Sequence, residues 1–344
     1  MRLPKISVII PCYNYARYVG QAIDSVLVQR YPALDLVVVN DGSTDDSLAV
    51  IRRHAPRAKI IDQPNRGHVA ACNAGFAAST GDVVLFFDAD DLLEPSALIK
   101  VAQAWSPELS KIQFDLTVID ADGNDLGRRF GHFRANFTVQ RVREDFRRTG
   151  TYRWPVTTGN AYSRWFVSLL FPQAFEGPVD GYLNTIAPLY GDVLTLPETL
   201  GRYRLHDRNL SWKTRTSKGL VDTIAKRRKE LTELRHHAER LGATLPDVDA
   251  LDHELPFLNF RLMARKLGNS YPGWDGDRPL RLLAKAFMQL RHEGLPTKIK
   301  ATHAVWFLVL AMMPKQFVSP MIKFRFEREQ WKRSCKSGLR RREA

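Results

Sequence analysis

The residues with the clearest chemical potential are three carboxylates, Asp88, Asp90 and Asp91. They follow the apolar run Val83–Phe87, and a short apolar run bounded by turn residues is typical of a strand buried on both faces. Ligands bind beyond the carboxyl ends of strands in open α/β sheets. Asp88 and Asp90 are two residues apart, so on extended chain their side chains would point the same way. The pattern favours a site for a hard divalent cation that also holds phosphates, with a solvated acidic turn as the alternative.

The elements before this cluster must position it. Apolar runs and helical spacing predict strands at Ile6–Ile10, Leu34–Val39, Lys59–Ile61 and Val83–Phe87, with helices at Tyr18–Gln29, Ser47–His54 and Val69–Ala78 between them. This alternation predicts an α/β fold with a mostly parallel, Rossmann-like sheet and helices on both faces. Right-handed crossovers then place every strand's carboxyl end at one edge. Tyr13, Asp41 and Asn65 should therefore converge with the acidic cluster.

These converging residues suit a nucleotide. The Tyr13 ring can stack on a base, Asp41 can accept a hydrogen bond from a base N–H, and the acidic cluster can hold a ribose hydroxyl and a diphosphate-bound metal. The alternatives are that Tyr13 is a packed loop aromatic and that Asp41 only forms a turn. The chain has no Gly-x-Gly-x-x-Gly after its first strand and no phosphate-binding Gly-x-x-x-x-Gly-Lys-Ser/Thr. These absences argue against dinucleotide redox chemistry and against a P-loop.

The net charge is unevenly distributed along the chain. Of its 344 residues, the first 210 carry 23 Lys+Arg and 23 Asp+Glu, whereas residues 211–344 carry 28 and 14, which accounts for the whole net charge of +14. Two parts with such different electrostatics suggest two roles. The three cysteines, Cys12, Cys72 and Cys335, show no disulfide or zinc spacing, and the N-terminus has no signal-peptide core. We therefore expect a cytoplasmic protein.

Four motifs carry a family resemblance: Ser7–Asn14, Val39–Ser47, Asn73–Gly75 and Phe87–Asp91. Together they resemble the successive motifs of family 2 glycosyltransferases, the inverting group with the GT-A fold. The resemblance is specific over about residues 5–100, looser to about residue 212, and absent beyond. It implies transfer of a sugar from a nucleotide-sugar donor, expected to be a UDP- or GDP-sugar, with inversion and with Mg²⁺ or Mn²⁺ as cofactor.

The resemblance also implies site residues. By position, donor contacts fall on Pro11, Tyr13, Asp41, Asn65, Asp88 and Ala89. The metal falls on Asp90 and Asp88, with His206 of the segment Tyr203–His206 completing the coordination. Arg204 and Arg208 would neutralise phosphate charge. One departure is that many family members have an arginine where this chain has Cys72.

The acceptor side must supply a general base, because inverting transfer deprotonates the attacking hydroxyl. The resemblance places it at Asp180, and Glu176 is the reserve candidate. The alternative is that Asp180 only caps a helix. A loop at Thr157–Ala161 precedes a predicted helix at Arg164–Leu170. Further on, Pro197 predicts a turn between two short strands.

Beyond residue 212 the sequence predicts a basic helical region, 213–344, following a catalytic domain, 1–212, whose donor half ends near residue 100. Helices are expected at Lys218–Leu241, Pro256–Leu267 and Pro279–Leu290, followed by apolar stretches at Ala304–Met313 and Phe317–Phe326. Each stretch is too short to span a bilayer. Aromatic residues flanked by basic ones suit an anionic membrane surface: Trp306, Phe307, Phe317 and Phe324, with Lys298, Lys300, Lys315, Lys323 and Arg325. The alternative is that Ala304–Met313 is the last core helix.

The sequence therefore predicts a glycosyltransferase acting on a glycan or lipid-linked acceptor in cell-surface polysaccharide assembly. It would be cytoplasmic, with the inner membrane face as the alternative location. Nucleic acid is not an expected partner, because no recognition module accompanies the basic charge. Two alternatives remain: a nucleotidyltransferase of similar fold, and a non-catalytic nucleotide-binding scaffold with a membrane-associating tail.

Overall fold

The computed structural model describes residues 3–55, 58–133, 136–174, 177–207, 209, 216–273 and 275–322. The chain divides into two compact units. The first comprises Met1–Arg148, Tyr152–Leu205 and Glu233–Leu245, and the second comprises Thr149–Thr151, His206–Thr232 and Pro246–Ala344. The domain boundary predicted at residue 212 lies outside the described residues.

The first unit is built on one mixed sheet. In the described part of the chain its nine strands are β1 (Ile6–Cys12), β2 (Leu34–Asp41), β3 (Lys59–Gln63), β4 (Val83–Phe86), β5 (Leu92–Leu93), β6 (Leu109–Ile119), β7 (Asp125–Phe130), β8 (Asn160–Ser163) and β9 (Asp192–Arg204). The spatial order is β3-β2-β1-β4-β8-β6-β9-β5, and β7 pairs with β6. The first four strands in this order are parallel, as the sequence predicts. Strand β8 then joins β4 and β6 in antiparallel fashion, while β6 and β9 are parallel.

Helices cover both faces of the parallel strands. In this unit they are α1 (Val19–Leu27), α2 (Ser47–His54), α3 (His68–Ala78), α4 (Ala97–Ala104), α5 (Val139–Thr149), α6 (Arg164–Ser168) and α7 (Val179–Tyr190). Side chains alternate along β1, so Val8 and Ile10 share a core with α1, whereas Ile9 faces α3. A Cβ on Gly75 of α3 would lie 2.3 Å from Ile9 Cγ2, which explains why the motif at Asn73–Gly75 ends in glycine.

The predicted pair of short strands around Pro197 is wrong. Residues Asp192–Arg204 form the single strand β9, parallel to β6. The register passes from Phe114↔Leu196 to Asp115↔Thr199, so Pro197 and its successor lie in a bulge. A proline has no N–H to donate to a ladder, and a bulge accommodates it without ending the strand.

The second unit is helical in its described part, as predicted. Its helices include α9 (Leu255–Leu267), α10 (Pro279–His292) and α11 (Thr297–Met312), together with the first part of α8 (Ser217–Leu241). Their apolar sides form one core that includes Leu220, Leu258, Leu282, Phe307 and Leu310. Buried arginines are paired with carboxylates, such as Arg261 with Asp277.

The structure corrects the membrane prediction for two aromatics. Phe307 is 1% exposed and belongs to the core, and the Trp306 indole N–H donates to Asn259 Oδ1 at 2.7 Å. Phe317 is exposed as expected. Lys323, Phe324 and Arg325 lie outside the described residues. Among the described helices, none combines the length and apolarity needed to cross a bilayer.

Candidate active site at the carboxyl edge of the sheet

The turn after β4 gathers three carboxylates. Its backbone closes with the Asp91 N–H donating to the Asp88 carbonyl at 3.2 Å. One oxygen from each of Asp88, Asp90 and Asp91 lies within 4.8 Å of the others. The sequence argument expected Asp88 and Asp90 to meet through extended chain. They do meet, but through a turn, and the turn also brings in Asp91.

Asp91 anchors this acidic turn. It is fully buried, and its oxygens accept hydrogen bonds from the Thr158 hydroxyl at 2.5 Å and from the Arg204 N–H at 2.8 Å. The turn is thereby tied to β9 and to the 3-10 turn at Thr157–Gly159. Ala89, between the carboxylates, is also buried.

The electrostatics of the acidic turn suit a cation. Burial raises the pKa of Asp88 well above its ordinary range, and the charges of Asp90 and Asp180 raise it further. Burial also raises the pKa of Asp91, again with the neighbouring carboxylates adding to the effect. Crowded carboxylates of this kind are relieved by a bound cation. Because all the ligand atoms are hard oxygens, the turn fits Mg²⁺, Mn²⁺ or another hard divalent ion.

Asp180 lies beside this turn. It occupies the first turn of α7, two residues after the N-cap Pro178, so it is not itself the capping residue. Burial raises its pKa, while backbone N–H groups, the charge of Lys111 and a hydrogen bond with the Thr157 hydroxyl lower it. The Thr157 side chain also lowers the pKa of Asp88. Thr157 therefore connects the candidate base to the acidic turn.

The charge of Asp180 acts on a buried lysine, Lys111. Lys111 on β6 is completely buried, and its Nζ donates to Gln113 Oε1 at 2.9 Å and to Tyr152 Oη at 3.2 Å. Burial lowers the pKa of Lys111 well below its ordinary range, and the charge of Asp180 opposes this. Our sequence analysis missed Lys111. The available signal was a lysine and a glutamine two residues apart in an otherwise apolar strand.

On the nucleotide side, the structure leaves Tyr13 exposed and buries Asp41. The Tyr13 side chain is 44% exposed, immediately after β1, in which Pro11 is buried. Asp41 accepts hydrogen bonds from Gln63 Nε2 at 2.7 Å and from the N–H groups of Arg66 and Gly67 at 3.0 and 2.8 Å. Asp41 thus shapes the loop after β3, and its contact with a base stays a prediction.

Asn65 lies in that same loop. Its side-chain oxygen accepts a hydrogen bond from the Gly67 N–H at 3.2 Å. Its backbone nitrogen approaches Gly42, where a Cβ would come within 2.5 Å of it. Gly42 also has φ of 68°, which glycine adopts without strain. The donor role of Asn65 likewise stays a prediction.

Two further side chains near the acidic turn were missed. Burial raises the pKa of Tyr15, and the charges of Asp90 and Asp88 raise it further. His68 Nε2 lies 3.9 Å from Asp88 Oδ1. His68 is one helical turn before Cys72, whose thiol is buried.

The phosphate role predicted for Arg204 is wrong. Its side chain is 1% exposed and donates to the carbonyls of Asp90 and Ala121 at 2.6 and 3.2 Å and to Gln21 Oε1 at 2.9 Å. Because protein acceptors hold the guanidinium, Arg204 braces the acidic turn instead of facing a ligand.

For three other predicted residues, His206, Arg208 and Glu176, the structure does not test the predicted role. His206 belongs to the second unit, where it is buried and its N–H donates to Asn209 Oδ1 at 2.6 Å. Its role as a metal ligand stays a prediction. Arg208 and Glu176 lie outside the described residues.

Comparisons with known proteins agree with this site. The sequence model of Glycosyl transferase family 2 matches residues 7–166. An uncharacterized glycosyltransferase of Nostoc sp. (strain PCC 7120) is 37% identical over 221 residues, which cover 60% of this chain and 66% of the relative. Chondroitin synthase of Pasteurella multocida is 31% identical over 166 residues, 46% of this chain and 17% of the synthase. The chain thus aligns with less than two thirds of the length of these relatives.

Solved structures show the same fold. The mannosyltransferase PcManGT from Pyrobaculum calidifontis, in complex with GDP-Man and Mn²⁺, superposes with a TM-score of 0.51 at 19% identity, covering 95% of this chain and 88% of that one. Residues 1–349 of S. aureus TarS give a TM-score of 0.50 at 16% identity, covering 94% and 92%. From the motifs, the acidic turn and these matches we conclude that residues 7–166 are similar to glycosyl transferase family 2 and that the chain has the GT-A fold of its structural neighbours.

Proposed function

We propose that this protein transfers a sugar from a nucleoside-diphosphate sugar to a hydroxyl group of a glycan or lipid-linked acceptor, with inversion at the anomeric carbon. One observation carries the proposal. The Thr157 side chain lowers the pKa of both Asp88 of the acidic turn and Asp180, and the charge of Asp180 raises the pKa of Asp88, so a candidate cation site and a candidate base lie close together. The match to chondroitin synthase supports a role in polysaccharide assembly.

The donor half would be held at the carboxyl edge of β1 to β4. Asp88 and Asp90 would hold the divalent cation, which neutralises charge on the diphosphate leaving group. Tyr13 offers an exposed ring to the base. Asp41, at the end of β2, and Asn65, in the loop after β3, would contact the donor. Ala89, buried within the acidic turn, would contact the donor from there.

Asp180 would act as the general base. Its carboxylate accepts the proton of the acceptor hydroxyl while that oxygen forms a bond to the anomeric carbon. The bond between this carbon and the diphosphate oxygen breaks, and the nucleoside diphosphate leaves with the electron pair. Attack opposite the leaving group inverts the centre. Burial raises the pKa of Asp180, which makes the carboxylate a stronger base than an exposed one.

The first experiment combines donor binding with turnover. UDP-, GDP-, dTDP- and CMP-sugars would be screened by thermal shift with Mg²⁺, Mn²⁺ or chelator, since a ligand that binds only the folded state raises the melting temperature. We expect a metal-dependent shift with one nucleotide family, lost in Asp90→Asn. NMR of the product formed from that donor would report the anomeric configuration. Donor binding without transfer to any acceptor or to water would favour a non-catalytic scaffold, and a retained configuration would contradict the single inverting step.

The cytoplasmic location also stays part of this proposal. Cys12 and Cys72 are free, buried cysteines. Cys335 lies outside the described residues.

A further inference from the structure

Helix α11 has an apolar side that the described residues leave exposed. One side of this helix packs into the core of the second unit through Phe307, Leu310 and Ala311. On the other side the exposed fractions are 61% for Val305, 47% for Leu308, 39% for Val309 and 65% for Met312. We call these four residues the α11 stripe.

The α11 stripe is unusual for a helix at a water-facing surface. Such a helix normally presents polar residues on the side opposite the core. Single exposed apolar residues need no explanation, but the α11 stripe places four of them at helical spacing on successive turns. Residues 301–314 contain no Lys, Arg, Asp or Glu. The stripe therefore has no charged side chain within it to keep it hydrated.

Basic residues flank the stripe along the sequence. Lys298 is seven residues before Val305, on the same side of the helix, and Lys315 follows the helix; both are exposed. Residues 279–344 carry 15 Lys+Arg and 4 Asp+Glu, so these 66 residues hold +11 of the net charge of +14. The sequence immediately beyond the described residues, 323–344, adds Phe324, Phe326 and Trp331 to nine of these basic residues.

We propose that the α11 stripe binds the surface of an anionic phospholipid bilayer. The apolar stripe would enter the boundary between headgroups and acyl chains, and the basic residues would contact anionic headgroups. With 16 residues, α11 is about 24 Å long, shorter than a bilayer core of about 30 Å, so it would lie along the surface. The surface contains no residue of the candidate active site, so this proposal and the proposed function can fail separately.

The test is flotation of the full-length protein with vesicles. Vesicles of phosphatidylcholine mixed with phosphatidylglycerol would be compared with phosphatidylcholine alone. We expect the parent to bind the anionic vesicles, and Leu308→Asp/Met312→Asp to reduce its partition constant by roughly tenfold or more. Leu308→Ser/Met312→Ser is a milder pair in case the first does not fold. The matched control is Val28→Asp/Leu169→Asp, which places two charges on exposed apolar residues of the first unit and should bind as the parent does.

Three outcomes would overturn the proposal. The first is parental binding by the folded α11 variants. The second is equal binding of the parent to neutral and anionic vesicles, because it would remove the role of charge. The third is a parent that light scattering shows to be a dimer and that Leu308→Asp/Met312→Asp converts to a monomer, because a second copy would then cover the stripe. Donor-induced thermal shifts, measured on the same variants without vesicles, should equal those of the parent.

Discussion

The Thr157 hydroxyl can be removed with little change in shape, which makes it a sharp test of the proposed site. Its interaction with Asp88 and Asp180 lowers the pKa of both carboxyl groups. Thr157→Val replaces the hydroxyl with a methyl group and leaves the rest of the side chain in place. The variant therefore separates the hydrogen bonds from the packing of the 3-10 turn at Thr157–Gly159.

The expected decrease in kcat depends on how many hydrogen bonds the Thr157 hydroxyl can donate. A hydrogen bond to a charged group contributes about 1.5–3 kcal/mol. One hydroxyl has one proton, so it donates to one carboxylate at a time, and we expect the lower half of that range. A loss of about 1.5–2 kcal/mol corresponds to a decrease in kcat of roughly 10- to 30-fold. Because the bond with Thr157 lowers the pKa of Asp180, its removal should move the acid limb of the pH–rate profile to higher pH.

The assay is the initial rate of sugar transfer at saturating donor across a pH series. Thr157→Ser is the matched control, because it keeps the hydroxyl and loses only a methyl group, and it should retain most of the parental rate and the parental acid limb. Melting temperatures of both variants would show that the fold is intact. A Thr157→Val enzyme with the parental kcat and an unmoved acid limb would refute the link between Asp180 and the acidic turn.

Three further predictions follow from single carboxylates. Asp180→Asn should lower kcat by roughly 10²- to 10⁴-fold while donor binding, measured by thermal shift, is retained; parental turnover would exclude Asp180 as the base. Asp90→Asn should abolish the metal-dependent part of the donor-induced shift and leave the melting temperature of the unliganded protein nearly unchanged; an undiminished shift would place the cation elsewhere. Burial raises the pKa of Asp115 to about 6, above its value in the unfolded chain. Asp115 therefore stabilises the fold below about pH 4, and this contribution is lost as the pH rises through 6. Asp115→Asn should then raise the free energy of unfolding by roughly 1–3 kcal/mol at pH 8 but little at pH 4, as measured by urea denaturation; equal effects at both pH values would contradict the assignment.

Local sequence pattern was sufficient for the parallel half of the sheet. Helix α2, Ser47–His54, was predicted with the bounds observed, because turn residues precede it and apolar spacing runs through it. That the carboxyl ends of β1, β2 and β4 lie at one edge of the sheet followed from the handedness of the crossovers, which is a property of L-residues and needs no knowledge of packing. The same local reasoning failed at Pro197, since a bulge and a turn have similar residue preferences, and only the pairing with β6 distinguishes them.

The sequence by itself indicated the resemblance to family 2 glycosyltransferases, the order of the donor-half elements and the carboxylates that can hold a cation. Tertiary structure decided which side chains meet those carboxylates. Thr157 lowers the pKa of Asp88 and Asp180, and the charge of Asp180 acts on the buried Lys111. The Arg204 guanidinium donates to the backbone carbonyl of Asp90. These contacts join residues that are far apart in the chain, and they depend on which way each side chain points after a turn or a bulge. That direction is set by the register of neighbouring strands and by packing against them, which one-dimensional spacing does not contain.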